Sequence, residues 1–141
     1  NPDRIGLPRT KPGVEVRVVG HQENYWSIYE GHDMLVMPRR YGGLCLPVQE
    51  AMGAGLGVVM SDVSPNRFWP IIGVSASVQS IESMYAGQIP VYDVDPRALA
   101  ATMNAVTPEC RAKAQTEARE WAQAHSWAVQ ADQWMDRFSA L

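Results

Sequence analysis

The sequence predicts an α/β domain: a parallel sheet with flanking helices, ending in a helical segment. Three observations carry this. Met34-Leu35-Val36-Met37 and Val58-Val59-Met60 are short runs with no polar residue, the pattern of strands covered on both faces. Between them, a glycine-bearing stretch leads to Pro47, as a loop running into a helix does. The last third carries Asp95-Pro96 and Thr107-Pro108, two starts that pair a capping side chain with proline's fixed φ.

Taken in order, residues 1–13 hold Pro2, Pro8, Pro12 and two glycines and read as a linker. Val14, Val16, Val18 and Val19 form a β-branched run that predicts a strand ending at Gly20. Asn24 caps a short helix over Tyr25–Glu30, with Trp26 and Tyr29 at helical spacing. Met34–Met37 is the next strand. Arg39 to Cys45 is a loop, and a helix runs from Pro47 to about Ala54. Gly55 and Gly57 punctuate its exit before the strand Val58–Met60. Ser61 to Pro65 is a loop, and Asn66–Ile72 leaves open a short helix broken by Pro70.

Val74–Val78 and Ile89–Val94 read as strands. Ile81–Tyr85 pairs with the latter through an Ala86-Gly87-Gln88 turn. Three helices follow: Pro96 to about Val106, Pro108 to about His125, and one capped by Ser126 that runs to the end. The domain proper is thus 14–141, with its C-terminal helices at about 96–141. Ligands of parallel sheets bind beyond the carboxyl ends of the strands. Gly20–Asn24, Pro38–Cys45 and Ser61–Asn66 are the loops expected on that edge.

The 141 residues suffice for one core, since a chain of this size buries about 68–70% of its unfolded surface. Charge is nearly balanced: 12 Lys and Arg against 15 Asp and Glu, net −3. That excludes a polycation built to hold a nucleic-acid backbone. Cys45 and Cys110 are too few for a disulfide scaffold, and no Cys/His spacing suggests structural zinc. No run approaches the roughly 20 apolar residues of a membrane span, and no signal peptide is present. The default compartment is cytoplasmic. The chain opens Asn1-Pro2-Asp3 with no Met, as a processed chain or a piece of a longer one would.

The chemistry lies in residues 37–60. A buried strand runs into Gly42-Gly43 and then into a helix N-terminus. Glycines let a backbone approach a ligand closely. The first helical amides are unpaired and partly positive, which suits a phosphate. Arg39 and Arg40 stand just upstream, placed to add charge-assisted bonds to the same anion. Glu50, one turn into the helix, offers a carboxylate to two vicinal hydroxyls, as a ribose presents. A tight strand-to-helix turn accounts for the same residues, with the glycines serving turn geometry, the arginines solvated and Glu50 favoured by the helix dipole. On the residues alone the tight turn is the better reading, because a lone Gly-Gly loop is a weak signal.

The stretch resembles the C-terminal, donor-binding domain of a retaining GT-B glycosyltransferase of family 4. The motif of that family runs P-S-x-x-E-G-F-G-L-P-x-x-E-A-x-A-x-G-x-P-V-V. Pro38, Gly43, Leu46, Pro47, Glu50, Ala51, Gly55, Val58 and Val59 match it in register. Val18-Val19-Gly20, the segment Ile28 to Val36 and His125-Ser126-Trp127 resemble further parts of the family pattern. The resemblance implies a Rossmann-like domain that binds a UDP- or GDP-linked sugar. It implies that Glu50 holds the donor ribose and that Gly43, Leu44, Cys45 and Leu46 approach the diphosphate and sugar. Gly20 and His21 would lie beside the base, although an ordinary polar loop histidine is an equal reading for His21. A metal is not expected.

Three departures stand out: Gly42 occupies the place of the family's first Glu, Leu44-Cys45 replaces Phe-Gly, and Arg39 replaces Ser. No catalytic residue is assigned. The resemblance also implies a preceding G-R…K-G segment and an acceptor-binding N-terminal domain in the same polypeptide. The 141 residues alone are therefore expected to be inactive. A non-catalytic nucleotide-sugar-binding module and a sugar-nucleotide epimerase are the alternatives. Elsewhere, Cys45 has no evident base and reads as a small loop residue, and Cys110 reads as packing. His32 and Asp33 belong to the opposite edge. Asp62 and Asn66 read as turn chemistry on the ligand edge. Trp127, Trp134, Phe138 and Leu141 form one apolar stripe, expected in the core unless a partner domain covers it.

Overall fold

The computed structural model describes residues 12–84 and 87–139. The chain divides into two compact units, 1–30 and 31–141. In the first, residues 14–20 adopt no regular structure. The expected strand does not form: Val14, Val16, Val18 and Val19 are 40–63% exposed. A β-branched run becomes a strand only when a neighbour pairs with its backbone. Among the described residues none does. The expected helix after Asn24 shrinks to one 3₁₀ turn, Tyr25–Ile28, with the Asn24 side chain accepting from the Trp26 amide. Tyr, Trp, Ser and Ile are weak helix formers, so little sustains a longer helix.

The second unit is built on a parallel sheet of β1 (Met34–Met37), β2 (Gly57–Ser61) and β3 (Ile72–Val74), in that order. Val36 lies opposite Val59, and Val59 opposite Ile72. All five residues of β2 are buried, as the unbroken apolar run requires. α1 (Leu46–Gly53) connects β1 to β2. It turns Val48, Ala51 and Met52 inward, one stripe at spacings of three and one. It ends in a Schellman motif: Gly55, at φ +84°, donates to the Met52 carbonyl, and Leu56 donates to that of Ala51. Val48 and Met52 pack with Val58, Met60, Cys45 and Ala118 into the main core.

The apolar run at 74–78 serves two sheets. β3 ends at Val74, and β4 (Ser77–Met84) pairs antiparallel with β5 (Gly87–Asp93) in a separate hairpin. Gly87 and Gln88 pair with Met84 and Ser83 and so belong to β5 instead of the expected turn; residues 85–86 lie outside the described residues.

The helix starts follow the sequence. Asp95 caps α2 (Pro96–Asn104) through the Arg97 amide, and Thr107 caps α3 (Pro108–Ala124) through that of Cys110. Glu109, in the first turn of α3, is held below the usual carboxylate range by its own amide and by the Thr107 hydroxyl. α3 reaches β2 closely because it presents Ala114 and Ala118. Cys110 extends that stripe one turn beyond its buried part and is exposed, contrary to the packing expected of it. Ser126 caps α4 (Trp127–Ser139). α4 has no buried residue, and Trp127, Trp134 and Phe138 stand exposed instead of entering the core.

Gly57 marks where α3 meets the sheet. A Cβ there would lie 2.6 Å from the Met34 sulfur and 3.1 Å from the Ala114 Cβ. Gly57→Val is therefore expected to cost about 1–3 kcal/mol, the scale of core overpacking. A urea midpoint unchanged from wild type would contradict this close approach.

Candidate functional site

The loops that leave β1 and β2 meet at the carboxyl edge of the sheet. Ser61, last in β2 and fully buried, joins them. Its hydroxyl accepts from the Arg39 amide at 3.1 Å and donates to the Arg39 carbonyl at 2.9 Å. The side chain thus continues the β1–β2 pairing past the last backbone register. Two of the three loops expected on this edge are together. The third, Gly20–Asn24, belongs to the other unit, where Gly20 and His21 are exposed.

Beyond Arg39 the loop is fastened at several points. The Arg39 guanidinium donates from Nη1 to the Gly43 carbonyl at 2.8 Å. Arg40 turns to the hairpin: its Nη2 donates to Gln79 Oε1 at 3.1 Å, and its carbonyl accepts from the Tyr92 amide at 2.7 Å. The Tyr41 hydroxyl donates to Glu82 Oε2 at 3.0 Å. The two arginines thus reach different parts of the protein. Gly42 packs directly on the second loop. A Cβ at 42 would collide with the Ser64 carbonyl oxygen and lie 2.7 Å from Pro65 Cδ. The position where the resemblance expects Glu has no space for a side chain.

Gly43 then takes φ +118°, a conformation open to glycine and costly for other residues. Leu44 and Leu46 are exposed. Cys45 between them is buried, its thiol 3.4 Å from the Met37 sulfur. It occupies the cap position of α1 without a side-chain capping bond. Among the described residues, none accepts a hydrogen bond from the amides of Gly42, Gly43, Leu44 or Cys45. Glu50 follows one turn into α1, half-buried.

The Ser61–Asn66 loop also carries side-chain bonds of its own. Asp62 pairs with Arg67 at 2.7 Å, and the buried Asn66 donates to the Ser61 carbonyl at 3.2 Å. Among the described residues, no three His, Cys, Asp or Glu side chains gather as metal ligands, and no helix is long and apolar enough to cross a membrane. Sequence reasoning missed Ser61, Gln79 and Glu82. For Ser61 the only signal was a hydroxyl at the end of an apolar strand.

The family model for Glycosyl transferases group 1 matches residues 4–107. The chain belongs to the group 1 glycosyltransferases. No curated protein and no solved structure matches it. The family match runs through β1, the glycine loop, α1, β2, β3, the hairpin and α2. This group 1 glycosyltransferase therefore has a GT-B-like, Rossmann-like domain, and its glycine loop lies within the matched region. Helices α3 and α4 lie outside the match.

Two expectations follow for this glycosyltransferase. Gly42→Ala forces the 38–45 and 61–66 loops apart and is expected to cost about 1–3 kcal/mol by overpacking, read as a lower urea midpoint. A variant as stable as wild type would contradict the contact. The Glu82 bond, followed by partial burial and the Glu82 charge, raises the Tyr41 phenol above its ordinary 10.0, against the lowering effect of Arg40. The folded value exceeds the unfolded one, so this contribution is whole below the unfolded value. It is lost as pH rises through the folded value. Absorbance titration of Glu82→Ala should bring this phenol back toward its ordinary value. A titration curve unchanged from wild type would remove the contact.

Proposed function

We propose that this chain supplies donor-binding residues to a nucleotide-sugar-dependent glycosyltransferase. One observation carries the reading: among the described residues the amides of Gly42 to Cys45 have no protein acceptor, and they lead into a helix N-terminus without a side-chain cap. Such a run of donors suits a diphosphate. Glycosyl transfer leaves negative charge on the departing diphosphate, and fixed dipoles aimed at it lower the barrier. In this reading the backbone of Gly43, Leu44, Cys45 and Leu46 receives the diphosphate and sugar of a UDP- or GDP-linked donor. Arg39 and Arg40 bring positive charge to the loop entrance. Glu50 holds the ribose hydroxyls. Amides and basic side chains neutralise the diphosphate, so the reading asks for no metal. Retention of configuration, and an acceptor held by a separate N-terminal domain, follow from the resemblance.

The filled space at Gly42 favours a second reading, a nucleotide-sugar-binding module without transfer, because no carboxylate fits there. Slow hydrolysis of a UDP- or GDP-sugar by the longer polypeptide would decide for the enzyme. For the donor site itself, Glu50→Ala is expected to weaken UDP or GDP binding by about 1.5–3 kcal/mol, the scale of hydrogen bonds to a charged group. Calorimetry showing equal affinities would remove Glu50 from the site.

A further inference from the structure

We infer that Arg39 is a positioning residue, whose guanidinium aims the Leu44 amide at the donor diphosphate by holding the Gly43 carbonyl. The inference rests on the donor-site reading above and deepens it. A trans peptide is planar, and its C=O and the following N–H point in opposite directions. The Gly43 carbonyl accepts from Arg39 Nη1 at 2.8 Å. The Gly43–Leu44 peptide is therefore turned with its oxygen toward Arg39 and its Leu44 N–H away from it. That N–H has no acceptor among the described residues, and the Leu44 side chain is exposed beside it.

Arg39 can fix this peptide because its own backbone is fixed. Ser61 Oγ bonds both its N–H and its C=O, and Ser61 is fully buried. The guanidinium is half-buried, which strengthens a charge-assisted bond relative to one in open water. Gly43 at φ +118° would otherwise have wide freedom to rotate this peptide. The device is a clamp from the core strand β2 through Arg39 to one backbone dipole. Its product is a preset donor that needs no reorganisation when an anion arrives.

The test compares wild type with Arg39→Met and Arg39→Lys, using UDP and GDP as probes. In the unliganded chain, Arg39→Met should move the Gly43 carbonyl-carbon and Leu44 amide-nitrogen resonances while leaving α3 resonances in place. It should weaken diphosphate binding by about tenfold, the scale of one charge-assisted hydrogen bond. Arg39→Lys, which keeps a donor but not the planar fork, should fall between. Arg39→Lys binding as wild type while the Gly43 and Leu44 resonances still move would mean that the charge acts on the phosphate directly and would overturn the positioning role. So would Arg39→Met binding as wild type while Glu50→Ala still loses affinity, and there the donor site would survive. Wild type that binds neither UDP nor GDP would overturn the donor site, and this inference with it.

Discussion

The glycine loop depends on one buried hydroxyl. Ser61 has no access to water, so its oxygen needs partners inside the protein. It finds both on Arg39, accepting from the N–H and donating to the C=O. A hydroxyl can do both at once, which no apolar side chain at the end of β2 could. The bond welds the first residue after Pro38 to the most buried strand of the sheet. Everything downstream, from the turn at Gly42 to the start of α1, begins from a fixed point.

From that point the loop is held on three sides. The hairpin takes Arg40 and Tyr41, the second loop takes Gly42, and Arg39 takes the Gly43 carbonyl. Among the described residues these contacts leave the amides of Gly42 to Cys45 without a protein acceptor. That asymmetry matters. Backbone donors are ordinarily paired in folded proteins or given to water. Here the Gly43 carbonyl is taken by Arg39 while the Leu44 N–H of the same peptide has no acceptor among the described residues.

Much of this frame was legible in the sequence. β1, β2 and the three C-terminal helix starts are written in local signals: unbroken apolar runs, Asp-Pro and Thr-Pro caps, and a serine before Trp127. Pro47 and Gly55 bracket α1 for similar reasons. What failed was non-local. Val14 to Val19 has the composition of a strand, but a strand also needs a partner, and composition does not supply one. Gly87 and Gln88 joined β5 instead of a turn because they found backbone partners in Met84 and Ser83. The loop's fastenings were invisible, since they join positions 22, 39 and 41 apart. Gly42 is the sharpest case. Sequence presents it as a lost carboxylate, whereas the structure presents it as a place where no side chain fits.

Charge arithmetic then limits how a donor site on this edge can work. The chain is net −3, so its long-range field offers a diphosphate no general attraction. Arg40 already bonds Gln79, and one arm of Arg39 already bonds Gly43. Both acceptors are neutral, so attraction in the proposed site comes at short range from these two fixed guanidinium charges and from oriented peptide dipoles. Such dipoles are weak in water and strong where water is excluded, and they help catalysis only if they are aimed beforehand. A flexible glycine loop would lose that advantage to reorganisation. The network around Ser61 and Arg39 supplies the stiffness that Gly42 and Gly43 by themselves cannot.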